Sequence, residues 1–168
     1  MKKLFLSVML LAIFSVLSSA QQGLKKVYDE TIDPLEQIDK AVEKAKKEDK
    51  FVICQLGGNW CPWCLKFADY ITNDAEISKM IADNYVYIHV NYNPRMAKSK
   101  DAEVVKKSQN LLKRLNNAGR FGYPALVVLD GNGKVIHIQD SGYLEEGESY
   151  NKKKVVSFLK NWTPKAVK

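Results

Sequence analysis

Residues 51–64 read FVICQLGGNWCPWC, an apolar run that leads into a pair of cysteines. The run from Phe51 to Leu56 predicts a short buried strand. The polar and glycine residues at 57–59 interrupt it, and Pro62 suits the first turn of a helix beginning at or just after Cys61. The sequence therefore predicts that Cys61 and Cys64 lie at a strand-to-helix junction.

Two cysteines at this spacing can support thiol–disulfide exchange, which needs an attacking thiolate and a second thiol that releases the mixed disulfide. On a helix, Cys61 and Cys64 share one face, so their sulfurs can bond. At the start of the helix, free backbone N–H groups and the helix dipole favour the thiolate of Cys61. Cysteines in such settings have pKa values of roughly 3.5–7.5, against about 8.5 for a free thiol. Cys64, one turn further in, suits the resolving role.

Other uses of a paired-cysteine motif find less support. A structural zinc site needs a second pair of ligands, whereas Cys54, His89 and His137 fall separately on predicted strands. Attachment of a c-type haem needs a histidine after the second cysteine, where this chain has Leu65. We predict no metal site, a core position for Cys54 and no catalytic role for either histidine. A binding module with a structural disulfide and a metal carrier using the same thiolates remain alternatives.

The rest of the chain alternates helical and extended patterns. Helix-linked strands predict parallel pairing, and the turn at 130–133 predicts a hairpin that adds an antiparallel edge strand. The sequence thus predicts one α/β domain over residues 21–168, built as a sandwich of three layers. The predicted helices cover Asp33 to about Lys50, a segment from Cys61, a short segment capped at Asn73-Asp74, Ala102–Asn116 and Tyr150–Asn161, and the predicted strands cover Phe51–Leu56, Tyr85–Val90, Ala125–Leu129 and the return from Val135.

The first twenty residues have the three-part pattern of a secretory signal peptide. A basic start precedes an apolar run from Leu4 to Leu17, and Ser18-Ser19-Ala20 supplies small residues for cleavage. The run is shorter than the roughly 20 residues of a transmembrane helix, although an uncleaved anchor is the alternative. We therefore expect residues 1–20 to be removed and the protein to be periplasmic or secreted.

The formal net charge is +7, from 26 basic and 19 acidic residues. The basic residues are scattered in runs mixed with acidic ones, as on a solvated helix face, and no nucleic-acid-binding module is visible. We predict no nucleic-acid partner. Three cysteines in a chain of this length are too few for a disulfide-stapled scaffold.

Taken together, these segments resemble the thioredoxin superfamily. The matching features are the strand Phe51–Leu56, the motif Trp60-Cys61-Pro62-Trp63-Cys64, Gly122-Tyr123-Pro124, and the hairpin from Asp130 to Val135. The chain looks most like exported bacterial members, including the C-terminal domain of Dsb-type electron-transfer proteins. The resemblance implies a central mixed sheet with helices on both faces.

The resemblance also implies roles for individual residues. Cys61 matches the nucleophile and Cys64 the resolving thiol, so the redox-active disulfide itself replaces a cofactor. Pro124 matches the cis-proline whose loop receives an extended substrate segment. We expect the substrate to contact this proline and its neighbours around the motif, namely Trp60, Pro62, Trp63 and Tyr123.

Two departures from the family pattern stand out. Gln55 occupies the position where the family often has a buried acid that helps move the proton of the resolving thiol. The segment 91–119 is longer than in a minimal thioredoxin. We expect a monomeric reductase, rather than an oxidase, that exchanges electrons with cysteine pairs of exported proteins and with a membrane electron donor or acceptor.

Overall fold

A computed structural model describes residues 23–167 of the chain. The predicted signal peptide lies outside these residues. Within them, no helix is long and apolar enough to cross a membrane. The helices are α1 (Pro34–Lys47), α2 (Pro62–Asn73), α3 (Ala75–Asn84), α4 (Ala102–Arg114), α5 (Ser141–Leu144) and α6 (Lys152–Asn161), and the strands are β1 (Phe51–Gly57), β2 (Tyr85–Asn91), β3 (Ala125–Leu129), β4 (Val135–Asp140), β5 (Glu145–Glu146) and β6 (Ser149–Tyr150).

Four strands form the central sheet in the order β2-β1-β3-β4. β1 and β2 run parallel, whereas β1 pairs with β3 and β3 with β4 in antiparallel fashion. The fold is therefore the predicted three-layer α/β sandwich with a mixed sheet. Strands β1 and β3 are central and buried almost throughout, which explains their continuous apolar sequences.

The direction of β3 differs from the parallel pairing predicted for helix-linked strands. Asn91 pairs with Gly57 and Ala125 with Leu56, so the connection from β2 to β3 starts and ends at the same edge of the sheet. This connection contains two 3-10 turns besides α4, at Pro94–Lys98 and Ala118–Phe121, which allow the chain to return to that edge. The residues before β3 consequently lie beside the start of α2.

Two hydrophobic cores fill the space on the two faces of the sheet. One lies under α1 and α4, where Cys54 and Leu56 of β1 point. The other lies under α2, α3 and α6, where Ile53 of β1 packs. Alternate residues of β1 thus serve opposite faces. Gln55 shares its face with Ile53, which directs it towards α2.

The C-terminal region differs in detail from its prediction. α6 begins at Lys152, because the chain first forms a small β5–β6 hairpin that includes Tyr150. Tyr150 is buried against α2 through its ring contact with Phe67, at 4.8 Å between centroids. A two-residue strand carries too little periodic pattern to be distinguished from the start of the next helix.

Candidate active site

The sulfur of Cys61 caps the N-terminus of α2. Cys61 has extended backbone angles, and its Sγ accepts a hydrogen bond from the backbone N–H of Cys64 at 3.1 Å. Pro62 follows at the first helical position, where its missing N–H is no loss. The first turn of α2 contains no acidic residue. The partial positive charge of this helix end therefore acts on the sulfur of Cys61.

Cys61 and Cys64 are joined by a disulfide, with their Cα atoms 5.2 Å apart. Cys61 retains 5% of its surface, whereas Cys64 is fully buried. Any reactant from solvent therefore reaches Cys61 first. Cys54 is a free, fully buried cysteine in the core on the other face of the sheet, and burial raises the pKa of its thiol to about 12.

The loop before β3 lies directly against the disulfide. The carbonyl oxygen of Tyr123 is 3.7 Å from the Sγ of Cys61. The Tyr123–Pro124 peptide bond is cis, and Gly122 before it has φ +90°, a conformation that favours glycine. The antiparallel direction of β3 is what makes this contact possible, because Pro124 precedes Ala125 at the edge of the sheet where α2 begins.

Aromatic residues form a rim on one side of Cys61. Trp60 is 45% exposed, and its indole N–H donates to the carbonyl oxygen of Tyr92 at 2.9 Å. The ring of Tyr123 lies edge-on to Trp60 and stacked with Tyr92. Burial, reinforced by Tyr92, raises the pKa of Tyr123 to about 12, so its hydroxyl is neutral near pH 7. The rim presents apolar surface and a backbone carbonyl to the neighbourhood of the disulfide.

Within the motif, Pro62 is exposed and Trp63 is half-buried. The ring of Trp63 packs edge-on against Tyr150, whose hydroxyl donates to the carbonyl oxygen of Trp63 at 3.0 Å. The ammonium group of Lys66 lies 4.7 Å from the centre of the Trp63 ring. These contacts with Tyr150 and Lys66 hold the Trp63 ring in place.

Gln55 is fully buried beneath α2, at the centre of a hydrogen-bond network. Its amide nitrogen donates to the carbonyl oxygen of Cys64 at 2.9 Å and to the hydroxyl of Tyr28 at 2.7 Å. Its amide oxygen accepts from the hydroxyl of Tyr87 at 2.5 Å. Both N–H groups of the amide donate a hydrogen bond and its oxygen accepts one. Because its polar atoms are all paired, the side chain can be buried.

Sequence reasoning missed Tyr28, which is 96% buried next to the two cysteines. It belongs to a segment without helix or strand that Asn59 holds in place. The side-chain oxygen of Asn59 accepts the backbone N–H groups of Val27 and Tyr28 at 3.2 and 3.1 Å, and its side-chain nitrogen donates to the carbonyl oxygen of Tyr28 at 2.8 Å. The Asn59 side chain thus pairs with backbone N–H and C=O groups of this segment, as an adjacent β-strand would, although the segment lies 31 residues earlier in the chain.

The two histidines occupy different environments. His89 lies between the rings of Tyr28 and Tyr87, each 5.4 Å away, and burial lowers its pKa to about 4. Its Nε2 has no hydrogen-bond partner within residues 23–167. His137 stacks on Trp162 at 4.1 Å. In this part of the chain, no three potential metal ligands of the His, Cys, Asp and Glu types come together.

Comparison with known proteins bears on the same region. The thioredoxin-like domain family matches residues 38–157, which include both cysteines and Pro124. This chain belongs to the thioredoxin-like family. No curated protein matches it.

Solved structures of thioredoxin-like proteins share its fold. A disulphide isomerase from Xylella fastidiosa Temecula1 superposes with a TM-score of 0.65 at 22% identity, covering 82% of this chain and 97% of that chain. The DsbH oxidoreductase superposes with a TM-score of 0.52, also at 22% identity, covering 86% of this chain and 90% of that chain. At this identity the likeness shows a common fold.

Proposed function

We propose that this thioredoxin-like protein is a thiol–disulfide oxidoreductase that reduces disulfides of exported proteins. The Cys61 thiolate attacks one sulfur of a substrate disulfide, which forms a mixed disulfide and releases the other substrate sulfur as a thiolate. Cys64 then attacks the Sγ of Cys61 and releases the second substrate thiolate. Two electrons pass to the substrate and the Cys61–Cys64 disulfide remains, so a membrane electron donor is proposed to reduce it again.

The observation that carries this proposal is the cap of α2. The other long helices are capped by oxygen atoms, from Asp33, Asp74, Asp101 and Asn151. Among the helices of residues 23–167 that are longer than one turn, α2 is the only one whose N-terminus is capped by a sulfur atom. A thiolate there gains the hydrogen bond and helix-dipole stabilisation that carboxylates gain elsewhere.

The surroundings of Cys61 support binding of an extended substrate segment. The exposed part of Trp60 offers apolar surface, and Tyr123 and Pro124 form the loop nearest the sulfur. We assign substrate contact to these three residues and to Pro62 and Trp63 of the motif. Trp60→Ala is expected to raise the KM for a protein disulfide more than it changes the rate with a small disulfide.

The assay that tests the chemistry compares the three cysteines. Cys61→Ser is expected to abolish reduction of insulin by the protein and dithiothreitol, whereas Cys64→Ser is expected to accumulate the mixed disulfide on Cys61. The matched control is Cys54→Ala, because Cys54 lies on the far face of the sheet. Full reductase activity of Cys61→Ser would exclude the proposed mechanism.

The reductase direction is proposed because the thioredoxin-like oxidases usually carry a further helical domain. Here the connection between β2 and β3 holds one helix, α4, and two 3-10 turns. Equilibration of the Cys61–Cys64 couple with glutathione measures its potential. A value near the roughly −270 mV of thioredoxin supports reduction, and one near about −120 mV contradicts it.

Export is proposed from the pattern of residues 1–20. Expression of the full chain in a bacterial host, followed by fractionation and mass measurement, is expected to give a periplasmic monomer that begins at Gln21. A cytoplasmic product of full mass would contradict this part of the proposal.

A further inference from the structure

The hydrogen bonds of Gln55 determine which way its amide points. The carbonyl oxygen of Cys64 can only accept, so the group that faces it must be the amide nitrogen. The other N–H of that nitrogen points at the hydroxyl oxygen of Tyr28, which therefore acts as the acceptor. With Cys61 and Cys64 joined in the disulfide, the Tyr28 hydroxyl donates no hydrogen bond within residues 23–167, so its proton is free for another acceptor.

The hydroxyl of Tyr28 and the sulfur of Cys64 lie on the same side of Gly57. A Cβ atom added to Gly57 would be 2.5 Å from the Sγ of Cys64 and 2.8 Å from the hydroxyl oxygen of Tyr28. Tyr28 also packs in one buried cluster with the two cysteines. The absence of a side chain on Gly57 therefore leaves a small space in which the phenol and the sulfur converge.

We propose that, when Cys61 carries the mixed disulfide and the Sγ of Cys64 is no longer bonded to Cys61, the hydroxyl of Tyr28 donates a hydrogen bond to that Sγ and stabilises the Cys64 thiolate. This inference rests on the proposed oxidoreductase function. In the step that releases the mixed disulfide, the Cys64 thiol loses its proton to solvent and its sulfur bonds to the Sγ of Cys61. The bond from Cys61 to the substrate sulfur breaks, and the substrate leaves as a thiolate. Tyr28 keeps its own proton throughout.

The groups that face Tyr28 support a donor role rather than transfer of its proton. Burial raises the pKa of Tyr28 and of Tyr87 well above the ordinary value, so both phenols stay protonated. The pKa of His89, lowered to about 4, leaves that ring neutral. Apart from the tyrosines, the buried polar side chains of residues 23–167 are Gln55, Ser108 and Ser141, so no buried carboxylate competes for the hydroxyl proton.

Tyr28→Phe removes the hydroxyl and keeps the ring contact with His89. Reduced protein mixed with Ellman's reagent is expected to release thionitrobenzoate in two phases, first by attack of Cys61 and then by resolution through Cys64. In Tyr28→Phe we expect the first phase to be unchanged and the second to be about tenfold slower, as loss of one hydrogen bond to a charged group predicts. The pH midpoint of the second phase is expected to rise.

The matched control is Tyr85→Phe. Tyr85 is also buried, and its hydroxyl donates to the carbonyl oxygen of Leu159 at 2.6 Å, between β2 and α6. Urea unfolding of both variants measures any general loss of stability. Equal slowing in the two variants, or an unchanged second phase and pH midpoint in Tyr28→Phe, would overturn the inference. A wild-type protein that forms no mixed disulfide on Cys61 would instead overturn the proposed function, and the inference with it.

Discussion

Asn59 holds the backbone of Tyr28 through both atoms of its side-chain amide. The oxygen accepts the N–H of Tyr28 at 3.1 Å and the nitrogen donates to its carbonyl oxygen at 2.8 Å. Because Asn59 stands in the loop two residues before Cys61, the loop that leads to the reactive sulfur also fixes the segment that covers Cys64.

Asn59→Ala is expected to destabilise the fold by about 1–3 kcal/mol, since several partly buried hydrogen bonds are lost together. Urea unfolding measures the loss, and hydrogen exchange at the amides of Val27 and Tyr28 should accelerate. Asn132→Ala is the control, because Asn132 is exposed and its side chain makes no hydrogen bond within residues 23–167. Equal stability of the two variants would contradict the role given to Asn59.

Gly57→Ala tests the close approach of Cys64 and Tyr28. The added Cβ would overlap both the sulfur and the hydroxyl oxygen, so we expect a loss of about 1–3 kcal/mol and slower resolution by Cys64. Gly131→Ala is the control, because the nearest atom to its Cβ would be 3.9 Å away. The prediction fails if both variants unfold at the same urea concentration as the wild type.

Gln55→Glu places an acid where many family members have one. The carboxylate would face the carbonyl oxygen of Cys64 in a fully buried position, which favours its protonated form and raises its pKa. The pKa of Glu in an unfolded chain is about 4.3, so above this pH the unfolded state loses the proton while the folded state still holds it. The stability of the variant relative to wild type should therefore fall by up to about 1.4 kcal/mol per pH unit.

Urea unfolding of Gln55→Glu and wild type at about pH 5 and about pH 8 measures this difference, which should be larger at the higher pH. Gln55→Met is the control, because it loses the same hydrogen bonds without a titrating group. A difference between Gln55→Glu and wild type that does not change with pH would show that the acid is solvated.

His89 should make the fold sensitive to acid. Its pKa is about 4 in the folded protein and about 6.5 in the unfolded chain, so in this interval the unfolded state binds the proton more strongly. Stability should thus fall as the pH falls from about 6.5 to about 4, by at most about 3 kcal/mol from this residue. His89→Phe should remove that contribution and keep the contacts with Tyr28 and Tyr87.

The comparison of His89→Phe with wild type isolates His89, because His137, whose pKa burial also lowers, is present in both proteins. Urea midpoints across this pH range provide the measurement. Parallel pH profiles for the two proteins would contradict the prediction.

The sequence predicted those parts of the fold that depend on local pattern. The strand predicted at 51–56 is present and extends to Gly57, the helix follows Cys61 at Pro62, and the caps at Asp33 and Asp74 occur where predicted. The direction of β3 was not predicted correctly, because it depends on where the chain returns after α4. That return has no periodic signal in the sequence.

The cysteine motif predicted part of the candidate site, and the remaining part was not predicted. The pair Cys61 and Cys64, and the unusual Gln55, can be recognised along the chain. Tyr28 cannot, because a single aromatic in a short irregular segment gives no pattern, and its contact with Gln55 spans 27 residues. A polar Asn in a tight loop is the one local sign that another segment is hydrogen-bonded there.

The dependence of Gln55 on Tyr28 has a consequence for choosing the boundaries of an excised domain. Trimming the chain to residues 38–157, the extent of the family match, would delete Tyr28 along with the rest of the segment that Asn59 holds. The truncated protein would keep both cysteines, yet water would reach Cys64 and one amide hydrogen of Gln55 would lose its acceptor. A shortened protein that keeps the surroundings of Cys64 and Gln55 must therefore begin before Val27.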